Sequence, residues 1–182
     1  MTVLTPKLWN RDEYYRLADL GFFEDQRVEL LYGEIVQMSP QNKPHALALS
    51  RLNTLLVLAY SPSHYVRVQL PLDLSNDCQP EPDVAVVPVR LVEESEPHPP
   101  TADLVVEVAD ASLLYDRTEK AAMYASAGIP TYWIVNLQDG VLEVYSQPES
   151  ERYAESRILD RTETLEFPGT GKVVDVGAIL PG

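Results

Sequence analysis

Three ionisable residues in the middle of the chain are the strongest candidates for chemistry. Asp83 opens the apolar stretch DVAVVPV, Glu107 follows 24 positions later inside DLVVEVAD, and Lys120 lies 13 positions further on. Two carboxylates that converge on one point repel each other unless a cation or a shared proton relieves them. A hard divalent cation is the usual solution, with waters in its remaining positions. Such a cation lowers the pKa of a bound water and neutralises phosphodiester charge, while a nearby lysine stabilises developing charge.

The segments around these residues have the patterns of two strands and a helix. The apolar runs at 84–87 and 104–108 predict strands that, if paired, bring both carboxylates to one sheet edge. The run YDRTEKAAMYASAG predicts a crossover helix that Gly128 ends.

Each of the three candidates also has a structural alternative. Asp83 alone would be interpreted as a surface carboxylate that begins a strand. Glu107 could point to solvent from a strand with one exposed face. Lys120 has the i,i+4 spacing to pair with Asp116, which is worth about 0.3–0.5 kcal/mol and is compatible with a catalytic role.

The remaining elements predict a mixed α/β (α+β) fold. Asn10 and Glu13 form a capping-box pattern for an N-terminal helix. RVELLYGEIVQM predicts a β-hairpin that turns at Tyr32-Gly33, and HALALSRLNTLLVLAY predicts an amphipathic helix. Residues 42–136 therefore run α-β-β-β-α-β, which implies a mixed central sheet with helices on its faces. The run EESEPHPPT predicts a surface loop, and VLEVYSQ, RYAESRIL, TLEF and VVDVGAIL predict a β-rich C-terminal flank.

Composition limits the classes of protein that fit. The 182 residues, 45% hydrophobic and 23% charged, predict a single globular domain over 1–182. No apolar run approaches the roughly 18 residues of a membrane span, and MTVLTPKLWNRDEYY lacks a secretory signal pattern, so we expect a cytoplasmic protein. The single cysteine excludes an intrachain disulfide, and the three histidines are widely spread. Any metal would therefore be held by carboxylates, which favours Mg²⁺, Mn²⁺ or Ca²⁺ over zinc.

The charge balance argues against passive binding of nucleic acid. The chain has 14 basic and 28 acidic residues, a net charge of −14. Non-specific nucleic-acid binding depends on Lys and Arg contacts to phosphates. This composition does not exclude an active site that reaches phosphates through bound cations.

Several motifs together resemble a family of nucleases. Pro82 and Asp83, followed by Glu107 on the next strand, resemble the PD-(D/E)XK signature of restriction-endonuclease-like nucleases, whose core also runs α-β-β-β-α-β. More closely, the chain resembles the Uma-two family of endonucleases, which is abundant in cyanobacteria. The matching pieces extend from about residue 9 to 147: RVELLYGEIVQMSP, His45, Gln69-Leu70-Pro71, EPDVAVV, DLVVEV, Asp116, Lys120, Tyr124 and AGIPTYWIV.

The resemblance implies a metal site and a catalytic lysine. Asp83 and Glu107 would bind Mg²⁺, with Mn²⁺ as a substitute, and the Val108 backbone carbonyl would be a further ligand. The superfamily places its lysine two residues after the glutamate, where this chain has Ala109, which cannot serve. Lys120, on the following helix, is therefore assigned as the catalytic lysine.

The resemblance also implies supporting residues. Glu34, after the hairpin turn, matches a family glutamate and would complete the catalytic site. His45, Gln69 and Asp116 would contact substrate or support the ligands, although His45 could simply cap its helix.

These observations favour one function and leave a second open. The first is a Mg²⁺-dependent endodeoxyribonuclease, with DNA as substrate and, since cutting two strands needs two sites, a homodimer. The alternative is a nuclease-fold module for binding or regulation with weak or no activity. The acidic balance and the scattered arginines motivate that alternative.

Overall fold

The computed structural model describes residues 5–181. The single-domain prediction for 1–182 and the N-terminal stretch used against a secretory signal extend beyond these described residues. The elements, in chain order, are α1 Arg11–Asp19, β1 Val28–Leu31, β2 Glu34–Gln37, α2 Lys43–Tyr60, β3 His64–Val68, β4 Val84–Pro88, α3 Val89–Glu94, β5 Leu104–Ala109, α4 Leu113–Tyr115, a π-helical turn Asp116–Lys120, α5 Ala121–Ser126, β6 Thr131–Asn136, β7 Val141–Glu149, β8 Arg152–Leu159, β9 Thr164–Glu166, β10 Val173–Asp175 and α6 Val176–Ile179.

The central sheet has six strands in the order β3-β4-β5-β6-β7-β8. Only β5 and β6 are parallel, and the helical segment from α4 to α5 connects them. All six residues of β5 are buried because this strand lies inside the sheet with both faces covered. The predicted mixed sheet and the α-β-β-β-α-β core are confirmed.

Two apolar layers cover the two faces of the sheet. On one face, α2 buries Leu49, Leu52, Leu56 and Ala59, which recur at three- and four-residue steps as the sequence predicts. The β9-β10 pair and α6 complete this layer. On the other face, Met123 and Tyr124 of α5 pack with residues of the hairpin and of β5 and β6.

The N-terminal elements follow their local signals. Asn10 and Glu13 make both hydrogen bonds of a capping box at α1. The β1-β2 hairpin turns at Tyr32 and Gly33, which both have positive φ angles. A Cβ atom on Gly33 would lie 2.8 Å from the Leu8 Cβ, so glycine is required there both by conformation and by space.

Three local details differ from the sequence patterns. Residues Val89–Glu94, at the edge of the predicted acidic loop, form α3. The final predicted strand VVDVGAIL divides into β10 and the short helix α6. The crossover helix begins at Leu113 and contains the π-helical turn. No helix within residues 5–181 has the length and apolar character that crossing a membrane requires.

Candidate active site

Strand pairing brings Asp83 and Glu107 together. β4 and β5 are antiparallel with Val84 opposite Val106, so Asp83, just before β4, lies beside Glu107. The Asp83 backbone N–H donates to Glu107 Oε2 at 3.2 Å, and the Val108 N–H donates to Asp83 Oδ2 at 2.9 Å. The two side chains are almost fully buried, so Glu107 does not face solvent.

The π-helical turn brings Lys120 to the same point. Its Nζ lies 3.0 Å from Glu107 Oε1, and the Tyr124 hydroxyl donates to the same oxygen at 2.8 Å. Burial alone would lower the pKa of the Lys120 ammonium, but three surrounding carboxylates outweigh burial and raise that pKa. The lysine is therefore held in its protonated form.

His45 and Gln69 hold the Asp83 carboxylate from two sides. His45 Nε2 lies 3.0 Å from Asp83 Oδ2, and Gln69 Nε2 donates to Oδ1 at 3.2 Å. Gln69 follows β3 with a φ of 52°, which is uncommon for a non-glycine residue. Burial alone would raise the pKa of Asp83, but these two side chains and the Val108 N–H outweigh burial and lower it. Asp83 is therefore kept ionised.

Glu29 belongs to this cluster, although the sequence interpretation did not select it. It is 4% exposed on β1, with Oε1 3.3 Å from the Lys120 ammonium. Its Oε2 accepts the Glu81 backbone N–H at 3.0 Å, directly before the Pro82-Asp83 step. The available signal was a glutamate between the apolar residues of a short strand, the same feature that identified Glu107.

The structure does not bring Glu34 to the cluster. Glu34 is exposed at the start of β2, opposite Leu31, and is not among the residues that line the cavity described below. Val108 contributes its backbone through the N–H that Asp83 accepts. A role for the Val108 carbonyl as a metal ligand stays a prediction.

A cavity of about 270 Å³ opens above the cluster. The ends of β1 and β2, the 38–42 loop, the end of β5 and the π-helical turn line it. Asp116 is buried at its wall and accepts a hydrogen bond from Ser112 Oγ at 2.6 Å. Burial raises the pKa of Asp116. Asn42 donates to Asp110 Oδ2 at 2.6 Å, and both residues line the cavity.

The cluster carries more negative than positive charge. The cluster contains four buried carboxylates and one ammonium, that of Lys120; the carboxylates are those of Glu29, Asp83, Glu107 and Asp116. Burial, together with the neighbouring acids, raises the pKa of Glu107 to about 8 against the opposing effect of Lys120. Such an excess of buried negative charge favours the binding of a cation.

The residues of the cluster fit an ion such as Mg²⁺ that is held by two carboxylates rather than by a complete cage of side chains. Within residues 5–181, no three His, Cys, Asp or Glu side chains converge as a complete metal cage. Asp83 and Glu107 instead offer two adjacent hard carboxylate donors. Mg²⁺ typically uses one or two carboxylates, keeps several waters and adds substrate phosphate oxygens. The donor set therefore fits Mg²⁺ or Mn²⁺ and does not fit zinc.

The fold and the site define a class of protein. A mixed sheet with acids at the ends of two adjacent strands and an α-β-β-β-α-β core is the restriction-endonuclease-like arrangement. A solved structure supports the fold: "Crystal structure of a putative nuclease belonging to DUF820" from Anabaena variabilis ATCC 29413 superimposes with a TM-score of 0.74. The two chains are 14% identical, and the match covers 93% of this chain and 96% of the other.

Residues 11–174 match the Uma2 family, described as "Putative restriction endonuclease". This match covers most of the chain, including every residue of the cluster, so the chain belongs to the Uma2 family. The resemblance found from the sequence motifs is thereby confirmed. A search of the curated proteins finds no match.

Proposed function

We propose that this protein is a metal-dependent endonuclease that hydrolyses DNA phosphodiester bonds. The observation that carries the proposal is the position of the Lys120 ammonium, 3.0 Å from Glu107, among four buried carboxylates beneath an open cavity. Membership of a family described as restriction endonucleases supports the same reaction class.

Asp83 and Glu107 would hold Mg²⁺, with Mn²⁺ as a substitute. When bound, such a cation acidifies a nearby water and neutralises charge on the phosphodiester. His45 and Gln69 keep Asp83 ionised and fix its orientation, so that its carboxylate is ready to act as a ligand.

Lys120 acts as a cation and hydrogen-bond donor in this scheme. Because its pKa is raised, it does not act as a general base near neutral pH. Its ammonium can donate to the attacking water or to the charge that develops on the phosphoryl oxygens. Glu29 and Glu107 hold the ammonium from two sides, which orients it before substrate binds.

A binding or regulatory role is the second candidate function. The net charge of −14 disfavours contact with a polyanion. Arg27, a cation at the cavity wall, is also paired with Glu81. If that role is correct, DNA stays intact and Mn²⁺ does not bind at Glu107.

The test combines cleavage with metal binding. We expect the purified protein to nick or cut supercoiled plasmid with Mg²⁺ or Mn²⁺ and to be inactive in EDTA. Asp83→Asn should abolish cleavage, whereas Asp103→Asn, at an exposed aspartate bonded to His64, should retain it. Calorimetric Mn²⁺ titration should show binding that Glu107→Gln removes. Cleavage that survives Asp83→Asn would refute the mechanism, and the absence of both cleavage and Mn²⁺ binding would favour the second candidate.

A further inference from the structure

β8 is an outermost strand of the central sheet, with β7 on one side and no strand on the other among residues 5–181. Residues 154–158 are all exposed, and Ile158 is 66% exposed. An edge strand presents unpaired backbone N–H and C=O groups, which can pair with another strand. An eight-residue strand with an exposed isoleucine is long enough for such pairing.

The charge of β8 differs from that of the whole protein. The chain carries −14, so two copies repel each other over most of their surfaces. β8 contains two arginines, Arg152 and Arg157, and one acid, Glu155, and therefore has a local charge of +1. Because each copy of β8 carries charges of both signs, two copies can meet at this edge with opposite charges facing each other.

The order of residues makes this strand complementary to itself. If two copies of β8 run antiparallel about Ser156, then Glu155 of each copy lies opposite Arg157 of the other. In the same register Ala154 lies opposite Ile158, and Arg152 lies opposite Asp160, just beyond the strand. Directly opposite residues have Cβ atoms about 4.5–5.5 Å apart, within reach of an ion pair.

The neighbouring registers are unfavourable. Along each strand of an antiparallel pair, hydrogen-bonded positions alternate with non-hydrogen-bonded positions. A residue at a hydrogen-bonded position must therefore lie opposite another residue at a hydrogen-bonded position, and the same holds for non-hydrogen-bonded positions. Symmetric pairing can therefore be centred only on a residue, not between two residues. Centring on the residue before Ser156 places Glu155 opposite itself, and centring on the residue after it places Arg157 opposite itself. Of the registers centred on residues 155, 156 and 157, only the one centred on Ser156 places oppositely charged residues of the strand opposite each other.

We propose that β8 is the surface through which two copies of this chain associate, with the strands antiparallel about Ser156. The two six-stranded sheets then form one continuous sheet across the contact. The proposal locates the homodimer expected from the sequence and does not depend on the proposed nuclease activity. Two symmetric Glu155–Arg157 pairs and the backbone hydrogen bonds of the new strand pair hold the contact.

A charge-exchange experiment tests the surface and the register together. Sedimentation velocity in low-salt buffer, over a dilution series, should show a dimer for the wild-type chain. Arg157→Glu alone and Glu155→Arg alone each place like charges opposite each other, and each should raise the dimer dissociation constant about tenfold or more. Mixing these two variants should restore the dimer, because every pair then joins an arginine to a glutamate. The double variant should also dimerise.

A matched control separates this result from a general charge effect. Arg90→Glu changes the net charge equally at an exposed residue of α3 and should leave the dimer intact. Circular dichroism should show that all variants are folded. A wild-type monomer throughout the series, single variants that dimerise as well as the wild type, or no recovery on mixing would overturn the proposal.

Discussion

Two buried glutamates lie in the same row of the central sheet, two strands apart, and have opposite environments. Glu107 on β5 and Glu143 on β7 both lie opposite Ile134 of the strand between them. Each is contacted by a cation from the same π-helical turn, Lys120 for Glu107 and Arg117 for Glu143. The two sites therefore share a sheet, a row and a helical turn, and they differ in their partners and in their access to the cavity.

Glu143 is fully balanced by its neighbours. Arg117 binds it with two nitrogens, Nη2 at 2.6 Å from Oε1 and Nε at 3.0 Å from Oε2. Asn136 and the Tyr145 hydroxyl each donate to it at 2.8 Å. Burial would raise the pKa of Glu143, but these donors outweigh burial and lower it.

Glu107 has fewer donors and more acidic neighbours, so its pKa is raised to about 8. Glu107 also lines the cavity, whereas Glu143 does not. The comparison indicates that a buried acid in a strand is not in itself a functional signal. The signal is an acid whose charge its neighbours do not balance and which is open to a ligand.

The largest expected difference between the two sites is in activity. Lys120→Met removes the ammonium from the cluster and should lower the rate of plasmid cleavage about 10³-fold, the size typical of losing one electrostatic donor. Arg117→Met should retain most of the activity per folded molecule, because Arg117 contacts Glu143 and not the cavity.

The two variants are compared by their rates of plasmid cleavage at equal amounts of folded protein. Circular dichroism gives the folded fraction of each. Equal losses in both would show that the turn as a whole, rather than the Lys120 ammonium, supports activity.

The second difference is in how the stability of the protein depends on pH, which should have opposite signs at the two glutamates. For Glu107 the change in the free energy of unfolding should be a few kcal/mol. Glu107 has a folded-state pKa of about 8 against an ordinary value of 4.5, so its folded form binds the proton more tightly. Its contribution to the free energy of unfolding is full below pH 4.5 and is lost as the pH rises to about 8. Glu143 has a lowered pKa, so its contribution is present above pH 4.5 and is lost as the pH falls below it.

Urea unfolding without metal at several pH values measures these contributions. The contribution of each glutamate is the free energy of unfolding of the wild type minus that of the Glu107→Gln or the Glu143→Gln variant. The first difference should fall with rising pH, and the second should rise. Parallel curves would contradict the assignment of opposite environments.

The sequence predicted the architecture and the main acids for identifiable reasons. Helix α2 and the hairpin have strong local periodicity, and the strand adjacency of Asp83 and Glu107 follows from two short apolar runs. Glu29 has the same strand pattern as Glu107, but its membership of the cluster depends on contacts with Lys120 and Glu81, which join distant parts of the chain. No local pattern marks contacts of that kind.

The π-helical turn was missed for a different reason. The spacing of Asp116 and Lys120 is the same as in an ordinary helix, so the letters do not show the wider turn. Glu143 lies between apolar strand residues just as Glu107 does, so the local sequence does not distinguish the two; the charge of Glu143 is balanced by Arg117, 26 residues away. Partners that fix the charge state of a buried acid are properties of the fold and are not visible in its local sequence.

The third difference is in stability at neutral pH. Glu143→Gln removes the buried carboxylate that binds Arg117, leaves only the exposed Asp139 carboxylate at 3.7 Å, and should lower the free energy of unfolding by about 2 kcal/mol. Glu107, with a pKa of about 8, is mostly protonated at pH 7, so Glu107→Gln replaces one neutral side chain by another of similar shape and should change stability by less than about 1 kcal/mol. Thermal and urea unfolding at pH 7 in EDTA measure both variants. A larger loss for Glu107→Gln than for Glu143→Gln would reverse the comparison.

The smallest difference concerns one hydroxyl at each site. Tyr124→Phe and Tyr145→Phe each remove a single donor, to Glu107 and Glu143 respectively. Tyr145→Phe should cost about 1 kcal/mol at pH 7, because Glu143 is ionised and loses a charge-assisted hydrogen bond. Tyr124→Phe should instead move the Glu107 titration to higher pH, since the hydroxyl stabilises the ionised form. The midpoint of the stability change near pH 8 measures this shift, and an unchanged midpoint would show that the Tyr124 hydroxyl does not act on the Glu107 charge.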